Sequence, residues 1–255
     1  MVSIVSHDLR NPLSTIMMTS DLLLELPPSA EEQRRHFHAI GRAAASMNRL
    51  IRDLLDAGLA ETGRLAIEPR MVAPARLARE LCESMQPIAA EKNQRLSCET
   101  DPALGEITAD PARLEQVLSN LLGNACKFVQ RGGTIHLRVL REDGRVRFTV
   151  EDNGPGIPPE DLPHIFERHW RGKHNAHLGT GLGLSIARAI VEAHGGQIWV
   201  ESDRGRGTAF HFTIPVPVPP AAADSGPEAL SSAQSPPGQP PGPASSKELA
   251  DAVGR

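Results

Sequence analysis

The stretch TIHLRVLREDGRVRFTVEDNGPGIP, residues 134–158, decides the fold class of this chain. Apolar and polar side chains alternate over residues 134–140 and again over 145–151, which is typical of strands that bury one face. Asp143 and Gly144 lie between the two runs and favour a tight turn, so the stretch predicts a β-hairpin. Asp152 ends the second strand, and a glycine-rich loop follows directly.

Helices are predicted before and after this hairpin. The other predicted elements of this half are helices over 74–92, 110–128 and 182–194 and a closing pair of strands over 197–201 and 208–214. The helix at 110–128 carries the strongest start signal, because Asp110 is a good N-cap and Pro111 suits the first helical position. Two or three helices packed on one face of a mixed sheet form an α+β two-layer sandwich.

The first sixty residues predict a different architecture, a pair of helices. In the second helix the apolar residues are spaced 3-4-3-4-3, which is a heptad seam formed by Phe37, Ile40, Ala44, Met47, Ile51 and Leu54. The first helix has one apolar face, and Leu26-Pro27-Pro28-Ser29 breaks the chain between the helices. One hairpin cannot bury a seam on both of its helices. Two copies paired in a four-helix bundle would do so, which predicts a homodimer. In the alternative, the hairpin packs on its own C-terminal domain.

Composition limits the remaining possibilities. The chain has 255 residues and a net charge of −4, so nothing in the totals indicates nucleic acid or an anionic membrane as a partner. No apolar run approaches the length of a membrane span, and the first residues lack the pattern of a signal peptide. Cys82, Cys98 and Cys126 have no metal-ligand spacing, so we expect reduced thiols in a cytoplasmic protein. Residues 216–255 are rich in proline and small polar residues, which predicts a disordered tail.

Four short motifs follow one another along the chain. They are SHDLRNPL at 6–13, NLLGNACKF at 120–128, DNGPGIP at 152–158 and GTGLGLS at 179–185. In this order they resemble the H, N, G1 and G2 boxes of sensor histidine kinases, and the resemblance covers roughly residues 1–215.

The resemblance implies a division of the chain into functional parts. It implies a dimerisation and histidine phosphotransfer hairpin over 1–62, a linker over 63–73 and an ATP-binding catalytic domain over 74–215, followed by the tail. The catalytic domain would have the α+β fold shared by Hsp90-type chaperones, DNA gyrase and histidine kinases.

His7 is the candidate phosphoacceptor. Helical geometry places it roughly opposite the apolar face of the first helix, and Asn11 lies one turn further on nearly the same side. A neutral imidazole is a competent nucleophile near pH 7, and Asp8 is placed to accept its other ring N–H. By resemblance, Asp8 acts as a base in autophosphorylation and Asn11 orients water in dephosphorylation of a response regulator. Pro12 lacks the N–H that would bond to the Asp8 carbonyl, so it should loosen the helix.

The second motif supplies candidate metal and phosphate ligands. Asn120 and Asn124 are four residues apart and therefore face one side of a helix, with Lys127 one further turn along. Amide oxygens suit Mg²⁺, and a lysine neutralises phosphate charge. By resemblance, Asn124 is the Mg²⁺ ligand, Lys127 contacts phosphate and Asn120 lies close to both.

The last two motifs suit a nucleotide. Asp152 could accept the exocyclic amine of adenine, with Gly154 and Gly156 allowing close approach of the backbone. This contact would favour ATP over GTP, whereas the plain alternative is an Asp-Asn-Gly turn. The phosphate cradle would come from glycine N–H groups at a helix start, in the segment Gly179, Thr180, Gly181, Leu182 and Gly183.

One region departs from the usual pattern. Residues 165–171 match the F box of the family, and 172–178 would form the lid over ATP, but His169 stands where a second aromatic is common. Four histidines lie in or near the lid, namely His164, His169, His174 and His177. They suggest either a metal site or, because their spacing fits no standard motif, a polar lid.

The combined prediction is a histidine kinase core that uses ATP and Mg²⁺. It would phosphorylate His7 and then pass the phosphoryl group to an aspartate of a response regulator. The alternatives are an ATPase of the Hsp90 or gyrase type, and a scaffold that binds nucleotide without transfer.

Overall fold

The computed structural model describes residues 2–25, 29–172 and 180–216, and for residues 2–8 and 25 it describes the backbone alone. The proline break predicted at 26–28, most of the lid and the tail beyond Val216 therefore lie outside the described residues. Among the residues described, no helix is both long enough and apolar enough to cross a membrane.

Two long helices open the chain and pack against each other as a hairpin, as predicted. Helix α1 spans Val2–Glu25, with Pro12 inside it, and α2 spans Ala30–Glu61. The start of α2 is fixed by a capping box, in which the Glu32 N–H donates to Ser29 Oγ and the Ser29 N–H donates to the Glu32 carboxylate. This cap explains why α2 begins directly after the proline-rich break.

The seam predicted on α2 is only partly covered within one chain. Ile40 and Leu54 are half-buried, whereas Phe37 is 58% exposed and Ile51 is 44% exposed. On α1, Met17 is 59% exposed. Contact between the two helices of one hairpin therefore leaves an apolar stripe uncovered.

The rest of the described chain is mixed α and β, which confirms the predicted fold class. In order, its elements are β1 (Arg70–Val72), α3 (Pro74–Glu91), β2 (Arg95–Thr100), β3 (Ile107–Ala109), α4 (Pro111–Phe128), β4 (Thr134–Glu142), β5 (Arg145–Asp152), a short 3₁₀ turn (Leu162–His164), α5 (Gly183–Ala193), β6 (Gln197–Asp203) and β7 (Gly207–Pro215). The predicted helices and hairpins are all present, with ends that differ by one or two residues.

Among the described residues, seven strands form two sheets. The larger has the order β2-β4-β5-β7-β6, in which β2 and β4 are parallel and the other pairs antiparallel. The smaller pairs β1 with β3, so that Met71 lies opposite Thr108. Strand β1 falls inside the segment predicted as a linker, 63–73, so part of that segment belongs to the α+β domain.

The core lies between the five-stranded sheet and helices α3, α4 and α5. Strand residues alternate between this buried face and a polar outer face, as at Leu137 (buried) and His136 (exposed). In the core the rings of Phe148 and Phe212 stack at a centroid distance of 4.5 Å. Apart from such pairs the core is aliphatic, which agrees with the 3% aromatic content.

Asp110 organises the start of α4, the helix that carries the second motif. Its Oδ1 accepts the N–H groups of Ala112 and Arg113 at 3.0 and 3.1 Å. Its Oδ2 accepts the Glu68 N–H at 2.9 Å, and its own N–H donates to His194 Nε2 at 3.0 Å. One side chain therefore caps α4 and ties it to the segment before β1.

We expect Asp110→Ala to lower the free energy of unfolding by about 1–2 kcal/mol, because it removes an N-cap and leaves the Glu68 N–H without its acceptor. Urea titration followed by circular dichroism measures the change. Asp110→Asn keeps an acceptor oxygen at the cap and should lose less. Equal losses in the two variants would contradict the capping role.

Candidate functional site

A cavity of about 130 Å³ lies between α4 and the loop that follows β5. Of the predicted site residues, Asn124, Asp152 and Gly156 line it. The structure thus brings together residues from two separate motifs. Apolar and aromatic side chains from other elements complete the wall, including Phe128 and Trp170. A mostly apolar cavity with a few polar groups suits a flat ligand such as a nucleotide base.

Asp152 is the carboxylate at the end of β5, and its position is fixed from two sides. In the sheet it lies opposite Thr208 of β7, and its Oδ1 accepts the Gly154 N–H at 2.8 Å. Burial raises the pKa of Asp152 above its usual range, although hydrogen bonds from the backbone of Gly154 and Thr208 act in the opposite direction. A carboxylate held in this way keeps acceptor capacity for an N–H of a ligand.

The glycines of the third motif are required by packing against the protein itself. Gly156 has a φ of +71°, and a Cβ there would lie 2.1 Å from the Asp203 carbonyl oxygen. Gly207, on the neighbouring strand, has a φ of +104°, and its Cβ would lie 2.0 Å from the Asp152 carbonyl oxygen. The loop after β5 therefore packs tightly against the turn between β6 and β7. Gly154 differs, because a Cβ there would lie 2.7 Å from Asp152 Oδ1 and would crowd the carboxylate.

The three polar residues of the second motif lie along α4 as the spacing predicts, but they do not share one cavity. Asn124 lines the small cavity beside Asp152. Asn120 and Lys127 instead line a larger cleft, about 1150 Å³ in volume, between α4 and helices α2 and α3. Helix α4 thus contributes side chains both to the small cavity and to the larger cleft.

Asn120 has a structural partner that sequence reasoning missed. Its Nδ2 donates to the Gly183 carbonyl oxygen at 3.1 Å, and a Cβ on Gly183 would lie 3.5 Å from the amide carbon of Asn120. Gly183 is the first residue of α5. Asn120 therefore ties α4 to the start of the helix that opens with the glycine cluster.

The start of α5 has the backbone geometry expected of the fourth motif. Gly181 has a φ of +71°, and a Cβ there would lie 2.8 Å from the Trp170 carbonyl oxygen. Thr180 Oγ1 accepts the Leu182 N–H at 3.3 Å. The first N–H groups of an eleven-residue helix follow, and such groups favour anions. Gly179 lies outside the described residues.

Lys127 is a half-buried cation near the end of α4. Burial lowers its pKa below the usual lysine range, and the charge of Arg171 lowers it further. Its Nζ lies 4.8 Å from the centroid of the Phe128 ring. A second positive charge nearby makes this region of the cleft attractive to a phosphate chain.

The histidine motif lies on α1. The predictions for the side chains of His7 and Asp8 fall outside the described residues, since the structure gives their backbone alone. Asn11 is exposed, and the Thr15 hydroxyl donates to its carbonyl oxygen at 3.1 Å. The helix continues through Pro12 to Glu25.

A buried polar contact joins the hairpin to the catalytic half. Asp56 of α2 is 7% exposed, and its Oδ2 accepts bonds of 2.7 Å from both Arg113 Nη1 and Gln116 Nε2 of α4. Nearby, Glu61 forms an ion pair with Arg168. Ala57 belongs to the main core. The end of α2 therefore packs on its own C-terminal domain, the alternative considered above, while the apolar stripe remains exposed.

The histidines of the lid region give no sign of a metal site in the part that is described. His164 Nδ1 pairs with Glu167 Oε1 at 2.8 Å, and the His169 N–H donates to the Gly181 carbonyl oxygen at 2.9 Å. No cluster of three metal-ligating side chains occurs among the described residues. His174 and His177 lie outside them.

Several residues of the cavity carry no local sequence signal. Thr208 and Phe210 come from β7, and Trp170 comes from the segment before the lid. Thr208 and Phe210 reach the cavity because β7 pairs with β5 in the sheet. Sequence patterns predict the pair formed by β6 and β7 but do not say that β5 lies on the other side of β7.

Comparison with known proteins identifies the class. Residues 1–63 match the family described as "His Kinase A (phospho-acceptor) domain", and residues 109–218 match "Histidine kinase-, DNA gyrase B-, and HSP90-like ATPase". The adaptive-response sensory kinase SasA of Crocosphaera subtropica is 36% identical over 84% of this chain, which covers 58% of that kinase.

Solved structures of histidine kinases agree with this class. The catalytic domain of histidine kinase ThkA is 34% identical over 59% of this chain, with 97% of that domain covered and a TM-score of 0.54. ThkA in complex with the response regulator TrrA is 28% identical over 85% of this chain and 61% of that one, with a TM-score of 0.60. Full-length ShkA in complex with AMPPNP is 31% identical over 84% of this chain and 45% of that one, with a TM-score of 0.65.

The hairpin, the cavity and these matches define a protein that joins a phosphoacceptor-type hairpin to an ATPase-type domain. The chain belongs to the histidine kinase family. It spans little more than half the length of the SasA kinase that it matches.

Proposed function

We propose that this chain binds Mg·ATP, transfers the γ-phosphoryl group to His7 and then donates it to an aspartate of a response regulator. The observation that carries the proposal is that Asn124 and Asp152 line one cavity in a chain that also has the SHDLRNPL motif. In this proposal, residues 1–62 form the phosphotransfer hairpin, residues 74–215 form the catalytic domain and residues 216–255 form a tail.

The adenine base occupies the cavity beside Asp152. Its exocyclic amine donates to the carboxylate, and the apolar walls cover the faces of the base. The Gly154 N–H holds the carboxylate at the orientation that this contact needs. The complex of ShkA with AMPPNP, an ATP analogue, supports the choice of ligand.

The phosphate chain extends from this cavity along α4 towards the cleft. Lys127 and the N–H groups from Gly179 to Gly183 neutralise its charge. The Asn124 amide oxygen is a ligand type that Mg²⁺ accepts, and the bound ion would supply further charge neutralisation at the phosphates. Asn120 holds the start of α5 in place through its bond to Gly183.

His7 attacks the γ-phosphorus through an unprotonated ring nitrogen, and ADP leaves as the P–N bond forms. Asp8 accepts the other ring N–H and so stabilises the charge that develops on the imidazole. The phosphohistidine then passes its phosphoryl group to a carboxylate of the response regulator. The complex of ThkA with TrrA supports a partner of this class.

A second copy of the chain completes the hairpin. The exposed stripe that includes Phe37 and Ile51 of the α2 seam is apolar surface that a four-helix bundle would bury. Burial of this stripe in a homodimer also agrees with the heptad spacing of α2. The polar contact at Asp56 does not compete, because at 100° per residue Asp56 lies on the side of α2 away from the seam position Leu54.

One labelling experiment separates this proposal from its alternatives. Incubation with γ-labelled ATP should give a protein label that is lost in acid and retained in base, because a phosphoramidate hydrolyses in acid. An ATPase of the gyrase type would release labelled phosphate and leave the protein unlabelled. A scaffold without transfer activity would do neither. An acid-stable label would refute His7 as the acceptor.

We expect Asn11→Ala to reduce dephosphorylation of the phosphorylated regulator at least tenfold while changing autophosphorylation less than about threefold. Asn11 lies on the exposed side of α1 one turn after His7, where its amide can orient a water molecule. Both rates are measured on the same preparation with labelled regulator and labelled ATP. Arg10→Ala, an exposed change on the same turn, is the control. Equal losses of both activities in the Asn11 variant would refute a role in orienting water.

A further inference from the structure

Two cysteines that the proposed function does not use face each other inside the catalytic half. Cys82 is 4% exposed on the side of α3 that packs on the sheet. Cys98 points to the same core from β2, between Ser97 and Glu99, and is only partly buried. Because β2 is an edge strand of the five-stranded sheet, this thiol lies near solvent.

Two hydrogen bonds, one on each side of the cysteine pair, fix the register of α3 along β2. Arg79 Nη1 donates to Thr100 Oγ1 at 3.5 Å, and Gln86 Nε2 donates to the Leu96 carbonyl oxygen at 2.9 Å. The helix therefore runs antiparallel to the strand, with residue 79 beside 100 and residue 86 beside 96. Position 82 then comes level with position 98. The two thiols lie close enough that each shifts the pKa of the other.

The two thiols differ in acidity. The neighbouring Cys82 thiol lowers the pKa of Cys98, burial opposes this, and the charge of Arg79 lowers it further. The pKa of Cys82 is raised, because the neighbouring Cys98 sulfur and burial both disfavour its thiolate. An accessible thiol with a lowered pKa beside a buried second thiol is the arrangement of a reactive cysteine and its resolving partner.

We propose that Cys82 and Cys98 form a peroxide-sensitive thiol pair that closes to an intramolecular disulfide between α3 and β2. The Cys98 thiolate attacks hydrogen peroxide, an S–O bond forms as the O–O bond breaks, and hydroxide leaves. Cys82 then attacks the sulfenic sulfur, and the S–S bond forms as the S–O bond breaks. Two thiols and one peroxide thus give one disulfide and two waters.

Cys126 provides a matched control within the same core. It is 3% exposed on α4, and burial raises its pKa. Its own carbonyl oxygen accepts bonds from Lys92 Nζ and Gln94 Nε2. Cys126 is on α4, away from the edge strand β2 and its pairing with α3, so it should stay reduced under conditions that oxidise Cys98.

The test uses the full chain, folded, and treated with hydrogen peroxide before alkylation of the remaining thiols. Trypsin places the three cysteines in separate peptides, 80–92, 96–113 and 114–127. We expect mass spectrometry to find 80–92 joined to 96–113, a fall in free thiols from the three present to one, and recovery of all three with dithiothreitol. The Cys98→Ser variant should keep its two remaining thiols, Cys82 and Cys126. The Cys126→Ala variant should lose both of its thiols, Cys82 and Cys98, to the disulfide.

Four outcomes would overturn the proposal. They are three free thiols after a treatment that oxidises a small-molecule thiol completely, a cross-link that contains 114–127, a disulfide between two chains, and sulfinic acid at Cys98 without any cross-link. Circular dichroism before and after oxidation verifies that the reacting protein is folded. The wild-type result decides the matter even if a variant folds poorly.

Discussion

His7→Gln is expected to abolish covalent labelling by γ-labelled ATP while leaving ATP affinity within about twofold of wild type. Glutamine has no nucleophilic nitrogen, so no phosphoramidate can form. The residues that line the nucleotide cavity are contributed by α4 and later elements, so the substitution should not disturb them. Labelling is measured by gel autoradiography, and affinity by titration with a fluorescent ATP analogue.

His38→Gln is the matched control, because His38 is an exposed histidine on the other helix of the same hairpin. It should keep the full label. Label that persists on the His7 variant would remove His7 as the phosphoacceptor. Loss of label in both variants would point to a general defect of the hairpin rather than to loss of the nucleophile.

Asp152→Asn should weaken ATP binding by about 1.5–3 kcal/mol, or roughly 10- to 150-fold. The variant keeps the shape of the side chain but replaces a carboxylate, which only accepts hydrogen bonds, with an amide that can also donate. The proposed charge-assisted bond to the adenine amine would be lost. GTP has an oxygen at the corresponding position, so its binding should fall less or even improve. Calorimetric titration with both nucleotides measures the two changes.

Asp161→Asn and Asn124→Ala separate the base contact from other effects. Asp161 is a second carboxylate at the same cavity, and its change should alter ATP binding less than about threefold. Asn124→Ala removes the proposed Mg²⁺ ligand, so binding of metal-free ATP should survive while Mg²⁺-dependent transfer falls. An Asp152 variant that binds ATP normally would refute the adenine assignment.

The long elements of the fold could be predicted because each has its own local signal. Alternation defines β4 and β5, the Asp110-Pro111 start defines α4, and a glycine pair ends α5. Strands β1 and β3 escaped prediction because three residues are too few for a periodic pattern. Their pairing, and the parallel contact of β2 with β4, join segments that are distant in the sequence.

The candidate site, too, could be predicted from the sequence only in part. Asp152 could be proposed from the sequence because a carboxylate at a strand end, followed by glycines, is a local pattern. The packing reason for a glycine at position 156 could not be predicted. A Cβ there would clash with the Asp203 carbonyl oxygen, which belongs to a different hairpin. Nor did the helical spacing of Asn120 indicate its bond to Gly183, which depends on how α5 lies against α4.

The sequence by itself determined the order of helices and strands, the apolar seam of the hairpin and the residue types that suit phosphohistidine and nucleotide chemistry. These properties arise from neighbours within one or two helical turns, where spacing fixes geometry. Only the tertiary structure decided which motif residues share a cavity and that Asp56 anchors the end of α2 to α4. It also decided that Cys82 lies level with Cys98. Such contacts depend on packing between elements far apart in the chain, and no local pattern encodes that packing.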